Sequence, residues 1–133
     1  MSTLKPFFWF TDLGMLLYWS VTALALIPAE YAFNDYKNPL LVAWNWSFFP
    51  LDLLMSLTGL FSLSLYGKRS SLWRGMALVS LTLTFVSGLN AVSFWAIRGD
   101  FALEWWFPNL YLLLYPLFFL RRLLVWERPV ERT

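Results

Sequence analysis

Residues 46–66 read WSFFPLDLLMSLTGLFSLSLY, with Asp52 as their one charge. At 1.5 Å per residue this stretch is long enough to cross the ~30 Å hydrocarbon core of a bilayer as a helix. The same pattern repeats on either side of it. Residues 7–27 form an apolar run interrupted only by Asp12, residues 75–97 carry no charge, and residues 105–124 are apolar as far as Arg121 and Arg122. The stems of those two arginines can lie along apolar surface while their head groups reach the interface. The expected fold is therefore all-α: an integral membrane protein built as a four-transmembrane-helix bundle. Residues 1–133 form a single domain, with an outer loop at 28–45 and a tail at 125–133.

Composition agrees. Of 133 residues, 59% are hydrophobic, 21% aromatic and 14% charged, whereas soluble domains carry about 25% charged residues. A soluble core of this size buries only about two-thirds of its chain surface, so the excess apolar surface must face lipid. There is no Cys and no His, which removes disulfides, thiol catalysis, His general bases and the usual zinc and haem ligand sets. No Lys lies in a span, no Gly-rich phosphate loop is present, and no carboxylate pair has helical metal-ligand spacing. No cofactor, metal or catalytic residue is expected. The net charge of +2 points to membrane orientation, and no nucleic-acid partner is expected.

Orientation follows from Lys and Arg. Lys5, Lys68, Arg69, Arg74, Arg121, Arg122, Arg128 and Arg132 fall on one side, and Lys37 and Arg98 on the other. Eight against two predicts both termini in the cytoplasm, which in a bacterium means the inner membrane. Tryptophans mark the span ends: Trp9, Trp73 and Trp126 at one level, and Trp44, Trp46, Trp95, Trp105 and Trp106 at the other. Indole favours the interface, so these eight read as a belt. Trp19 alone is mid-span. Ala23-Leu24-Ala25 resembles a signal-peptidase site, but the run is long and broken by Asp12, so the first span is expected to be retained.

The connection PAEYAFNDYKNPLLVA (residues 28–43) opens with Pro28, which ends a helix, and contains the turn signals Asn34-Asp35 and Asn38-Pro39. It is too apolar for a solvated loop and is expected to lie at the membrane surface, where it can cover a cavity. A weak internal echo relates Phe49-Pro50-Leu51-Asp52-Leu53-Leu54 to Phe107-Pro108-Asn109-Leu110-Tyr111-Leu112.

A charge at mid-helix in lipid costs about 2.5–3.5 kcal/mol on insertion scales, so it turns toward the bundle or a wet cavity. Asp52 lies ~9 Å below the outer boundary. It shares a small, polar helix face with Asn45, Ser56 and Gly59. Asn90 from span three, Asn109 from span four and Glu30 at the end of span one approach the same outer zone. Trp19, Tyr18 and Tyr111 are expected to wall it. Two readings stand side by side: a ligand site, or polar groups that hold the helices together. A cationic ligand or a proton would relieve the cost of Asp52. Asp12 reads as structural: near the cytoplasmic end of span one, it can cap a turn or pair with Lys68 or Arg122. Ser80, Thr84, Ser87, Gly88 and Ala91 form a stripe that permits close helix approach, within the monomer or across a homodimer. Pro116 frees the carbonyl of Leu112 and should kink span four.

The stretches FTDLGMLLYW (10–19), YAFNDYKNPLLV (31–42) and AWNWSFFPLDLL (43–54) resemble the YvaD-like family of small bacterial membrane proteins, which implies no particular activity. More distantly, the order of features resembles the EXPERA fold of the emopamil-binding protein and the sigma-2 receptor. Glu30 stands at the acid closing span one, Lys37-Asn38-Pro39-Leu40-Leu41 at the loop motif, Asp52 at the span-two acid, and Pro108-Asn109-Leu110-Tyr111-Leu112 with Pro116 in span four. That resemblance implies an intramembrane cavity holding a lipophilic, often cationic, small molecule or lipid. Asn38 replaces the loop acid, and no His is present, so isomerase activity is not implied. The alternatives from the residues are a small proton-coupled transporter and a non-catalytic subunit of a membrane complex. A lipid enzyme with Asp52 as acid or base ranks below them.

Overall fold

The computed structural model describes residues 2–24 and 38–126. Within them the chain forms four helices: α1 (Leu4–Ala23), α2 (Pro39–Gly67), α3 (Trp73–Arg98) and α4 (Leu103–Trp126). The second helix begins earlier than its hydropathy suggests. The Asn38 side chain accepts the Leu40 N–H at 3.0 Å, and Pro39 takes the first helical position, where its missing N–H costs nothing. Residues 39–45, expected in the outer loop, are therefore the first two turns of α2. Glu30 and Lys37 lie outside the described residues. The third helix ends on Gly99 in the left-handed conformation (φ 75°), which glycine adopts without steric cost.

The helices form a closed ring. α3 packs against both α2 and α4, and α1 packs against α2. α1 also reaches α4: Phe7 stacks on Tyr115 at 5.2 Å, and the hydroxyls of Thr11 and Tyr111 share a hydrogen bond of 2.8 Å. Tyr111→Phe should lower stability by about 0.6 kcal/mol, the usual worth of one interhelical hydrogen bond in a membrane bundle, read as a small drop in thermal midpoint in detergent. Toward the end that carries Lys5, Lys68 and Arg122, here called the basic end, the core is apolar: Phe8, Met55, Leu81, Tyr115 and Phe119. Toward the other end it becomes aromatic, with Trp19 and Phe48 in one cluster and Leu41 and Trp95 in another.

Ser80, Thr84, Ser87, Gly88 and Ala91 are all buried. The small-residue stripe is thus consumed within the monomer, between α2 and α4, and does not offer a dimer face. At Gly88 it lies directly against the α4 backbone at Asn109–Leu113. Pro116 sits buried within α4 and leaves the Leu112 carbonyl without its helical donor, so this contact falls where the α4 ladder is interrupted.

The outside of the bundle is apolar: Phe10, Leu17, Ile97 and Phe107 are 73%, 65%, 88% and 78% exposed. Segments Pro39–Gly67, Trp73–Arg98 and Leu103–Val125 are long and apolar enough to cross a membrane. α1, with 20 described residues that include Lys5 and Asp12, is not among these three segments.

Candidate ligand site

Asp52 sits on the inward face of α2, 3% exposed. Two neighbouring helices hold its carboxylate. The Trp19 indole N–H of α1 donates to Oδ2 at 3.0 Å, and the Ser87 hydroxyl of α3 donates to Oδ1 at 2.7 Å. Each oxygen keeps further acceptor capacity, and no Lys or Arg offsets the charge among the described residues. Trp19 is itself fixed by ring contacts to Tyr18, Trp46 and Phe49, with centroids 5.2, 5.3 and 5.4 Å away.

Beside this carboxylate lies a cavity of about 110 Å³, open on one side, in the half of the bundle away from the basic end. Its walls are aromatic: Tyr18, Trp19, Trp44, Phe48, Trp95 and Trp105. Its polar lining is Asn45, Asp52, Ser87 and Asn109. Asn45 accepts from the Tyr18 hydroxyl at 3.4 Å, and Asn109 donates to the Trp105 carbonyl at 2.7 Å. A second, almost wholly apolar groove of about 230 Å³ runs between α1 and α2 past Leu16, Ala23, Phe49 and Leu53. Met15, Trp19 and Asp52 line both spaces, so they form the partition between groove and cavity.

Of the residues singled out from sequence, Asp52, Asn45, Asn109, Trp19 and Tyr18 meet at this cavity. Asn90 does not: it is exposed. The inward face of α3 runs through Ser80, Thr84, Ser87 and Ala91, and at about 100° per residue Asn90 is turned away from it. Tyr111 lies lower, bonded to Thr11, and does not line the cavity. Asp12 is placed differently from expectation. It lies two turns inside α1, 0% exposed, and neither oxygen has a hydrogen-bond partner among the described residues. It caps nothing and does not pair with Lys68 or Arg122, both of which are exposed. The site also includes residues not assigned to it from sequence. Trp44, Trp95 and Trp105 turn inward instead of joining an interfacial belt, and Ser87 binds the acid. For Ser87 the signal was present, since it stands seven residues after Ser80 on the inward face. For the three tryptophans no signal existed, because a span-end indole reads the same whichever way it points.

The fold and site define a class: a small all-α bundle with membrane-compatible helices and one acid set in an aromatic cavity. The chain belongs to the family of unknown function DUF5360, which matches residues 4–130. It is 52% identical, over the whole length of both chains, to the uncharacterized protein YvaD of Bacillus subtilis (strain 168). No solved structure matches it.

Proposed function

We propose that the protein is a four-span protein of the bacterial inner membrane, with both termini cytoplasmic, that binds a lipophilic organic cation in the outer half of the bundle. One observation carries the ligand reading. Among the described residues the cavity presents a single carboxylate, six aromatic walls and no basic side chain, and aromatic faces around an acid are the chemistry that recognises ammonium groups. At about 110 Å³ the space is smaller than the ~150 Å³ cavity that holds benzene. It suits a compact ammonium head, with any apolar tail leaving by the open side or the α1–α2 groove. The likeness to the emopamil-binding protein class supports the same reading and rests on sequence motifs alone. α1 counts as the fourth span because its outward residues Phe10 and Leu17 are exposed and apolar and its two charges are at the basic end and inside the bundle.

Tetramethylammonium tests the site. In detergent it should raise the thermal midpoint and change the tryptophan fluorescence, since four of the walls are indoles. Asp52→Asn should weaken binding at least tenfold, or about 1.4 kcal/mol. The uncharged shape analogue tert-butanol should not bind. Equal binding of both probes, or full binding to Asp52→Asn, refutes the reading.

A further inference from the structure

Asp12 lies in the half of the bundle away from the cavity. Its carboxyl fills the notch left by Gly59: a Cβ added there would overlap Asp12 Oδ2 and come within 2.9 Å of Ser80 Oγ. Neither carboxyl oxygen is hydrogen-bonded, and the buried hydroxyls of Ser56, one turn along α2, and Tyr115 on α4 are unpartnered as well. The other hydroxyls around it are engaged. Thr11 is tied to Tyr111, and Ser80 donates to the Met55 carbonyl at 2.7 Å. α2 and α3 present no titratable side chain to Asp12, and α4 presents only the phenols of Tyr111 and Tyr115. No Lys or Arg from any of the four helices compensates it.

A carboxylate in this place is a full charge, fully buried and with no donor or counter-ion among the described residues, and isolated buried charges neutralise rather than persist. A metal ion needs several oxygens at fixed distances and room for itself, while the carboxyl already fills the Gly59 notch. A proton needs neither. We propose that Asp12 is a proton-binding site: the carboxylate takes one proton from solvent as α1 closes on α2, and the neutral acid returns it only when that contact opens. The proton joins the Asp12 carboxyl oxygen and nothing else is displaced. The site is distinct from Asp52, which faces the cavity. Closure of α1 on Gly59 is therefore proton-linked.

Infrared spectra of protein carrying carboxyl-labelled aspartate test this, because the chain holds only Asp12, Asp35, Asp52 and Asp100. A carboxylic-acid C=O band is expected at neutral pH, absent in Asp12→Asn and retained when Asp35, Asp52 and Asp100 are all changed to Asn. The folded bundle holds one proton more than any state in which Asp12 meets water, so the thermal midpoint should fall as pH rises. The part of that fall that depends on Asp12 should be lost in Asp12→Asn, a neutral isostere, and a fall unchanged by the substitution counts against the proposal. Should that variant fail to fold, the wild-type band and its survival in the triple variant still decide. Carboxylate bands alone at neutral pH overturn the proposal. So does a band that is lost on Asp12→Asn and shifts with sodium or potassium, which would make Asp12 a metal ligand.

Discussion

Gly88→Ala should lower the stability of the bundle by about 2–3 kcal/mol, the upper part of the range for overpacking. The added Cβ would lie 2.5 Å from Leu113 N, 2.8 Å from the Leu112 carbonyl carbon and 2.9 Å from Asn109 O. All three are α4 backbone atoms, so no side chain can rotate aside, and the whole of α4 has to withdraw. The turn that moves carries Pro108 and Asn109, both on the cavity wall, so the tryptophan fluorescence should change along with the thermal midpoint. Gly14→Ala is the matched control. It is also a mid-helix glycine, its Cβ would meet nothing within 4 Å, and alanine's helix propensity should leave stability unchanged or raise it by up to about 1 kcal/mol. Equal midpoints for the two variants would mean that α3 and α4 do not meet at Gly88.

Asp52→Ala should cost about 2 kcal/mol, and Asp52→Asn much less. Alanine leaves the Trp19 indole N–H and the Ser87 hydroxyl without their acceptor, and each buried orphan costs about 1–3 kcal/mol. Ser87 can recover part of this by turning to a carbonyl one turn back in its own helix. Trp19 cannot, because its ring is held among Tyr18, Trp46 and Phe49. Loss of a buried charge offsets some of the penalty. Asparagine keeps an oxygen for Trp19 and removes the charge. The two variants therefore separate the roles the sequence left open. If Asp52 only holds the helices together, tetramethylammonium has no effect on any form. If it is the ligand's counter-charge, Asp52→Asn stays folded and loses the response. Chemical denaturation in mixed micelles, with and without the probe, reads both quantities.

The helices and the leading acid were legible in the sequence to different degrees. Residues 46–66, 75–97 and 105–124 fall within α2, α3 and α4. The errors lay at an end, where Asn38 and Pro39 start α2 by capping chemistry rather than by hydropathy. Asp52, Asn45 and Ser56 share the expected inward face of α2. Facing residues from other helices were harder to read. Asn90 was expected to face the site and is exposed, Asp12 was expected to cap a turn or pair with a basic side chain and is buried, and Trp95 looked like Trp106.

From sequence alone come the membrane-compatible apolarity of the helices and the need of Asp52 for inward partners, because transfer from water to an apolar phase is counted residue by residue and needs no knowledge of neighbours. Tertiary structure alone decides which polar groups meet. A helix turns about 100° with each residue, so its rotation selects the side chains that point inward, and that rotation is set by where helices can approach. Here those places are Gly59 beneath Asp12 and Gly88 against the α4 backbone. They turn Ser87 toward Asp52 and Asn90 away from it, and they seal Asp12 inside the bundle.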